Sequence, residues 1–250
     1  MRTLIAIALT LLMPCASVAG TRSAANSDSQ HIKYGEGFHC VLRIRCKSGD
    51  VWQSASCVLL AADTAITAAH VVVGTDAWSV SKPGGEWVEA EWVAMHPQFD
   101  ESKPGSHDVA IVRLASPIEI DYYPPIYEGE SEVGQVASLA GYGLTGTMTT
   151  GHSISDGIRR AGSNFVDKVE NGVLVCTAGG KPTALEFCIA PGDSGGGLFL
   201  GRYLAGIHSF VSATGRLPRS RYGDETAHTR LSTTEMRSWV HATASKRHHE

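Results

Sequence analysis

Long hydrophobic runs are scarce in this chain. The clearest one, over residues 4–13, is shorter than the roughly 20 residues that a helix needs to cross a bilayer. Arg2 precedes it, and the small residues Ser17 and Ala19 follow, as is typical of a secretory signal peptide. Cys15 suggests lipidation as an alternative, but the preceding proline does not fit the small residue that such processing prefers. We therefore expect cleavage after Ala19, a secreted or periplasmic protein, and no stable membrane span.

Charge is also sparse, with 18% charged residues and a formal net charge of −4 at pH 7. Residues 1–19 carry a single charge, Arg2, so their removal leaves the chain slightly more acidic. A net negative chain without a basic cluster gives no reason to expect a nucleic-acid partner. The 250 residues, 43% of them hydrophobic, suffice to bury a sizeable core without a metal or disulfide.

Cysteine is rare, with 6 in the whole chain. No Cys-x-x-Cys pair or His-rich cluster predicts a zinc site, and we expect no metal and no cofactor. Export permits disulfides, but five cysteines beyond the signal peptide are an odd number, so at least one is unpaired or intermolecular. Cys176 and Cys188 flank a glycine-containing loop and are one candidate pair. Any two of Cys40, Cys46 and Cys57 are another, and the sequence leaves the choice open.

Glycine is abundant, at 27 residues, and Val, Ile and Thr recur in short runs between turn residues. This pattern favours an all-β class. It predicts a first set of strands over 41–45, 57–61, 65–68, 87–95 and 109–114, and a second set over 133–141, 174–177, 198–200, 204–210 and 227–231. Residues 122–126 are expected to connect the two sets. The polar segment 20–34 predicts a flexible leader or a short propeptide, and the helical spacing of Met236, Trp239 and Val240 predicts a helix over 232–242.

Three short motifs point to nucleophilic catalysis. The Pro-Gly-Asp-Ser-Gly-Gly-Gly run at 191–197 offers Ser194 as a nucleophile in a glycine-rich turn. A serine hydroxyl needs a base within hydrogen-bond reach, and the base needs a partner that fixes its tautomer. His70, after Thr-Ala-Ala, and Asp108, before an apolar strand, are candidates for these two roles. Each motif alone is weak, but the chain presents them in the order His, Asp, Ser.

Five segments together, at 61–70, 107–114, 141–143, 191–197 and 206–210, resemble the chymotrypsin/trypsin-like serine protease family. The resemblance spans roughly residues 35–242. It implies two six-stranded antiparallel β-barrels, the first at about 35–121 and the second at about 129–231, followed by a C-terminal helix. The spacing between Cys188 and Gly192 looks closer to bacterial secreted members than to the common animal pattern.

The resemblance also implies roles for individual residues. Ser194 would be the nucleophile, His70 the general base and acid, and Asp108 the residue that orients His70. The backbone N–H groups of Gly192 and Ser194 would form the oxyanion hole. We therefore expect a monomeric secreted serine endopeptidase that acts on protein or peptide substrates. The alternatives are a binding module that keeps the fold without turnover, and an esterase that uses the same site.

Substrate preference depends on the pocket for the P1 side chain, which precedes the cleaved bond. The resemblance places five residues beside the substrate: His208, Ser209, Phe210, Val211 and His228. Histidines at such positions resemble those of glutamate-specific bacterial proteases, and they favour an acidic P1 residue. Glu186 is the competing signal, because a carboxylate at the pocket base favours Lys or Arg.

Two departures from the family pattern concern activation and a disulfide. Animal members usually expose an Ile-Val-Gly-Gly-like amino terminus, whose amine pairs with the Asp before the nucleophile. The chain has no such motif, so we expect Asp193 to be neutralised or hydrogen-bonded in another way. The residue after the catalytic His is often a bridged Cys, whereas here it is Val71.

Overall fold

The computed structural model describes residues 20–246 except positions 83, 155 and 218. The predicted signal peptide at 1–19 therefore lies outside the described residues. The chain begins with a short strand, β1 (Thr21–Arg22), and a helix, α1 (Asp28–Glu36). A capping box starts this helix: the Ser27 side chain accepts from the Gln30 backbone, and the Gln30 side chain accepts from the Ser27 backbone.

The ordered amino-terminal segment differs from the flexible leader expected over residues 20–34. Helix α1 packs against the second half of the molecule because its His31 ring is fully buried and its Nδ1 lies 2.9 Å from the Ala161 carbonyl oxygen. Asp28 pairs with the buried Arg160 at 2.7 Å. These long-range contacts order a segment whose polar composition alone favours disorder.

The first barrel follows the amino-terminal segment. Its strands are β2 (Val41–Ser48), β3 (Val51–Ala61), β4 (Thr64–Thr67), β5 (Ala77–Ser81), β6 (Trp87–Met95) and β7 (Ala110–Leu114), with the short helix α2 (Ala69–Val72) after β4. The strands close in the order β2-β3-β4-β7-β6-β5. Ile44, Val80 and Val112 are fully buried inside this barrel and help form its apolar core.

The second half contains ten further strands and a helix. They are β8 (Val136–Gly141), β9 (Thr145–Thr147), β10 (Gly151–Ile154), β11 (Arg160–Phe165), β12 (Lys168–Glu170), β13 (Val173–Thr177), β14 (Phe187–Cys188), β15 (Gly197–Leu200), β16 (Tyr203–Ser212), β17 (Glu225–Arg230) and α3 (Thr234–Ala244). Seven of the strands form one sheet in the order β11-β8-β15-β16-β17-β13-β12. Its two edge strands, β11 and β12, are consecutive in the chain, so the sheet curls round into a barrel-like shape.

A small second sheet joins the amino terminus to this half of the molecule. It has the order β10-β9-β1-β14, in which β1 runs parallel to β9 and antiparallel to β14. Thr21 therefore pairs with both Gly146 and Cys188. Strand β1 thus pairs with β14, the strand that precedes the nucleophile segment in the chain.

The predicted fold class is confirmed: the protein is mostly β, with a closed six-stranded barrel, a second barrel-like sheet and a short C-terminal helix. Helix α3 begins after its N-cap Thr233, whose hydroxyl accepts from the Met236 backbone at 3.2 Å. Met236 and Val240 bury their side chains against the core between the barrels. No helix among the described residues is long and apolar enough to span a membrane.

The expected disulfides are absent from the described structure. The five cysteines at positions 40, 46, 57, 176 and 188 are free thiols, and all are buried. Burial raises the pKa of every one of them, to about 12 for Cys40 and Cys46. The candidate pair Cys176 and Cys188 is fully buried, and no bond joins the two sulfurs. These cysteines act as small apolar core residues.

Candidate active site

The three catalytic candidates lie together between the two barrels. His70 lies in α2, directly after β4, Asp108 precedes β7, and Ser194 lies in the turn before β15. His70 Nδ1 is 2.7 Å from Asp108 Oδ2, and His70 Nε2 is 2.9 Å from Ser194 Oγ. The imidazole thus bridges carboxylate and hydroxyl, which is the geometry that a base-activated serine requires.

Asp108 is held from several sides. The backbone N–H of His70 donates to Oδ1 at 2.8 Å, and the Ser209 hydroxyl donates to Oδ2. Thr229 donates to the Asp108 carbonyl oxygen at 3.1 Å. Burial disfavours the charged form, but the hydrogen bonds from His70 and Ser209 outweigh it and keep the pKa of Asp108 below its usual value. The residue therefore stays ionised and holds its two oxygens in fixed directions.

The nucleophile turn is tied to the first barrel through Ser56 on β3. The Ser56 backbone N–H donates to the Ser194 carbonyl oxygen at 2.9 Å, and the Ser56 hydroxyl donates to the Gly192 carbonyl oxygen at 2.9 Å. Gly192 has φ +93°, a backbone conformation that residues other than glycine rarely adopt. Neither the Gly192 nor the Ser194 backbone N–H donates to an acceptor in the described part of the chain. Both predicted oxyanion-hole donors are thus free to bind an oxygen of the substrate.

A cavity of about 260 Å³ opens beside Ser194. It is lined by His152, Ile189, Ala190, Pro191, Ser194, Ser209, Phe210, Val211 and Ser220. The predicted substrate contacts Ser209, Phe210 and Val211 thus lie along one wall. His152 and Ser220 are additions that the sequence motifs did not indicate, and His152 Nδ1 lies 3.3 Å from Ser220 Oγ.

A second cavity of about 260 Å³ lies beside the His70 imidazole. Its lining includes His70, Phe99, Pro104 and Asp108. Ser209 and Phe210 line both cavities. Both cavities are thus lined by residues of β16, as expected of a groove for an extended peptide.

The two histidines expected to contact the P1 side chain, His208 and His228, are fully buried. Their Nδ1 atoms lie 2.8 Å apart, and His228 Nε2 lies 2.9 Å from the Thr226 hydroxyl. Burial lowers the pKa of both rings, and the neighbouring ring adds to the shift of His208. The described residues that line the substrate cavity include neither ring.

Glu186, the competing specificity candidate, turns away from the cavity. Its Oε1 accepts a hydrogen bond from the Gly179 backbone at 2.7 Å, and the residue is buried. It is not among the described lining residues of either cavity beside Ser194. The Glu186 carboxylate therefore does not lie at the base of the described cavity beside Ser194.

The Asp193 carboxylate is hydrogen-bonded, and the sequence did not identify its partners. Oδ1 accepts from the Gly143 N–H at 2.7 Å, and Oδ2 accepts from the N–H groups of Ala190 and Gly20 at 2.8 and 2.9 Å. Burial nevertheless raises the pKa of this fully enclosed carboxyl to about 7, against the opposing effect of those donors. The amino-terminal residue of the described chain is thus one of its three hydrogen-bond partners.

The residues that the motifs missed share one property: their partners are remote in sequence. His152 meets Ser220 across 68 positions, and Gly20 meets Asp193 across 173. A local pattern carries no trace of such contacts. The one available signal was the capping box at Ser27 and Gln30, which indicates an ordered helix just after the amino-terminal strand.

The fold resembles those of known proteases. It matches neuropsin, a serine protease of mouse brain, with a TM-score of 0.65 and 18% identity over 84% of this chain and 96% of neuropsin. It matches HL collagenase with a TM-score of 0.67 and 18% identity over 92% of this chain and all of the collagenase. At this identity the likeness concerns the fold alone.

A curated relative comes from an animal. "Serine protease SSP1" of the centipede Scolopendra subspinipes is 34% identical over 143 residues, which are 52% of this chain and 48% of the relative. The match thus spans about half the length of that relative. The expected closeness to bacterial secreted members is not supported, because this relative is an animal protease.

The family model named Trypsin matches residues 30–224, which is well over half of the chain and includes His70, Asp108 and Ser194. The chain therefore belongs to the trypsin family of chymotrypsin-like serine proteases.

Proposed function

We propose that this protein is a secreted serine endopeptidase that cleaves peptide bonds through an acyl-enzyme, with Ser194, His70 and Asp108 as its catalytic residues. The observation that carries the proposal is the position of the His70 ring, 2.7 Å from Asp108 and 2.9 Å from Ser194. Two free backbone donors, at Gly192 and Ser194, lie in the same turn as the nucleophile. The two cavities share Ser209 and Phe210, which supports binding of an extended peptide along β16.

Acylation begins when Ser194 Oγ attacks the substrate carbonyl carbon and His70 Nε2 takes the hydroxyl proton. Negative charge then develops on the carbonyl oxygen, where the N–H groups of Gly192 and Ser194 stabilise it. His70 gives its proton to the leaving amine as the C–N bond breaks. Water attacks the resulting ester with His70 again as base, which releases the acid and restores Ser194. Asp108 stays ionised throughout and supports the positive charge on His70.

An acidic P1 residue is the proposed preference. His152 takes the role that the motifs assigned to His208 and His228, because it lines the cavity beside Ser194 with Ser220 next to it. Burial lowers the pKa of His152 most, and the charge of Arg219 lowers it further, so Arg219 adds a positive potential at the ring. The same potential favours a carboxylate, and binding of that carboxylate in turn favours the protonated ring. No described carboxylate lines this cavity, which disfavours Lys and Arg.

The esterase and the silent binding module remain the alternatives. Fluorophosphonate labelling of the wild type and of Ser194→Ala distinguishes an enzyme from the binding module. A binding module would form no Ser194-dependent adduct. Turnover of matched peptide and ester substrates then separates the peptidase from the esterase. We expect Ser194-dependent labelling and cleavage of peptides; labelling without any peptide cleavage would contradict the proposal.

The P1 preference has its own test. Cleavage-site profiling with a peptide library should give cuts after Glu or Asp, and His152→Gln should reduce kcat/KM for a Glu substrate more than for its Gln counterpart. The preference for Glu over Gln should also fall as pH rises and His152 loses its proton. His241→Gln, on the exposed face of α3, is the matched control. A library profile without cuts after acidic residues would overturn this part of the proposal.

A further inference from the structure

One face of the first barrel carries cations without carboxylate partners. Arg43, Arg45 and Lys47 lie at alternate positions of β2, so their side chains point to the same face, and the residues between them are buried in the barrel core. In the described ranges, no carboxylate oxygen lies within 4.0 Å of a nitrogen of these three side chains. We call these three residues, together with Trp52 and Trp87, the basic face.

The two tryptophans hold the guanidinium groups in place. Arg45 Cζ lies 4.4 Å from the ring centroids of both Trp52 and Trp87, and Arg43 Cζ lies 5.3 Å from that of Trp87. Both Nε atoms are buried without a hydrogen-bond partner in the described part of the chain, whereas no terminal nitrogen of either guanidinium is enclosed in that way. A stacked guanidinium loses little freedom when it binds a carboxylate through its planar fork.

The basic face is continuous with the nucleophile turn. The Ser56 backbone N–H donates to the Ser194 carbonyl oxygen at 2.9 Å. In the pairing of β2 with β3, Arg43 lies opposite Ser56 and Lys47 lies opposite Trp52. Directly opposed residues of an antiparallel pair share a face. The basic face therefore begins beside the nucleophile turn and extends four residues along β3, which is about 13 Å.

The position of the basic face indicates which part of a substrate it meets. No described residue of β2 or β3 lines either cavity beside Ser194. In the proposed function these cavities take residues that precede the cleaved bond, so the basic face is left for residues that follow it. An extended peptide advances about 3.3 Å per residue, so about four residues after the cleaved bond span the distance to Trp52.

We propose that the basic face binds an acidic segment of the polypeptide substrate, about two to five residues after the cleaved bond. In an extended segment, side chains on one face repeat about every 6.6 Å, which is also the repeat of Arg43, Arg45 and Lys47 along β2. A sulfated polysaccharide has charge of the same sign, but its binding needs no connection to Ser194. The continuity with the nucleophile turn therefore favours the peptide. This inference rests on the proposed function and names a substrate class for it.

A matched pair of peptides tests the proposal. The two share every residue up to and including P1 and carry either Glu or Gln at the second to fifth positions after the cleaved bond. We expect kcat/KM to be about 3- to 30-fold higher for the Glu peptide, the scale of two exposed ion pairs, and the ratio to approach one at high salt. The double variant Arg43→Gln/Arg45→Gln should lose the preference, and Arg45→Lys, which lacks the planar fork, should weaken it.

Arg202→Gln is the matched control, because the Arg202 guanidinium also stacks on an aromatic ring, with Cζ 5.4 Å from the ring centroid of Tyr122. It should keep the full preference for the Glu peptide. Circular dichroism establishes that the variants fold. A preference that the folded double variant or Arg45→Lys leaves unchanged, or equal kcat/KM for the two peptides, would overturn the inference.

A second readout does not depend on turnover. Fluorescence anisotropy of the labelled peptides measures their binding to the Ser194→Ala protein, and the Glu peptide should bind more tightly only when both arginines of the basic face are present. Arginine-dependent binding of heparin without a preference for the Glu peptide would contradict the choice of partner. If the Glu peptide binds through Arg43 and Arg45 while no peptide is cleaved by the wild type, the proposed function fails and the acidic-peptide surface stands.

Discussion

Two buried carboxylates flank Ser194, one before a strand of each barrel, and they are stabilised in opposite ways. Asp108, before β7, is bonded to the His70 ring and the Ser209 hydroxyl, and these partners lower its pKa. Asp193, before β15, meets only backbone N–H groups, and burial raises its pKa to about 7. The first carboxylate is held by side-chain and backbone donors, whereas the second is held by backbone donors alone.

In the proposed function, this difference divides the catalytic work between the barrels. The first barrel supplies the base and its orienting partner, whose positions depend on side-chain hydrogen bonds between α2 and the start of β7. The second barrel supplies the nucleophile and the oxyanion donors, whose positions depend on the backbone of one turn. Proton transfer should therefore respond to changes at Asp108, and stabilisation of the oxyanion to changes at Asp193.

The largest effect is expected at Asp108. Asp108→Asn keeps the size of the side chain but presents an N–H group to His70 Nδ1, which favours the wrong imidazole tautomer. We expect kcat to fall about 10⁴-fold with little change in KM. Steady-state kinetics on a peptide substrate measures the effect. A loss below tenfold would show that Asp108 does not orient the base.

A smaller loss is expected at Asp193. In Asp193→Asn an amide N–H group faces donors at Ala190 or Gly143, so the turn loses a hydrogen bond and shifts the Gly192 N–H. We expect kcat to fall about 10²- to 10³-fold, the range for one oxyanion-hole donor. A variant with full kcat would mean that the turn does not need the carboxylate.

Ser209→Ala separates orientation from charge at Asp108. It removes one donor to Oδ2 but leaves both contacts with His70. We expect kcat to fall by about tenfold, equivalent to about 1.4 kcal/mol, which is typical of one hydrogen bond to a charged group. Thr75→Ala is a control of the same kind away from the substrate, because the Thr75 hydroxyl donates to the Val72 carbonyl oxygen at the end of α2. Equal losses in both variants would indicate a general effect on the fold.

The two carboxylates should also give opposite pH profiles of stability. Because the pKa of Asp193 is raised to about 7, its protonated form stabilises the fold at low pH, and this contribution is lost as pH rises from about 4 to 7. The lowered pKa of Asp108 has the reverse sign: its contribution exists above pH 4 and is lost as pH falls. Urea unfolding of Ser194→Ala, with and without Asp193→Asn or Asp108→Asn, measures both. Parallel profiles for the two carboxyl variants would contradict the comparison.

Sequence reasoning recovered the side of the site that local motifs encode. His70, Asp108 and Ser194 each lie beside an apolar strand that the pattern predicts, and β6 was predicted at its observed bounds, Trp87–Met95. Short apolar runs and turn residues also predicted the all-β class, because both depend on near neighbours in the chain. The two-barrel arrangement was implied by the family resemblance. The predicted terminal helix over 232–242 differs from α3 by two residues at each end.

The features that sequence reasoning missed depend on tertiary contacts. A polar leader gave no sign that Gly20 would reach Asp193, since 173 positions separate them. No sequence motif indicated His152, because its cavity forms only when β10 lies beside the segment that carries Ser220. The family resemblance suggested His208 and His228 as substrate contacts, but both rings are fully buried and do not line the described cavity. Packing, rather than residue type, decided these cases.

The central claim is that Ser194 forms an acyl-enzyme with His70 as its base, and burst kinetics tests it most directly. With an activated ester, the enzyme should release about one equivalent of alcohol per active site in a fast phase, followed by slower turnover. The acyl group should be found on the peptide that contains Ser194, and neither burst nor adduct should occur with Ser194→Ala. Hydrolysis that persists undiminished in Ser194→Ala, or an adduct on another residue, would contradict the account.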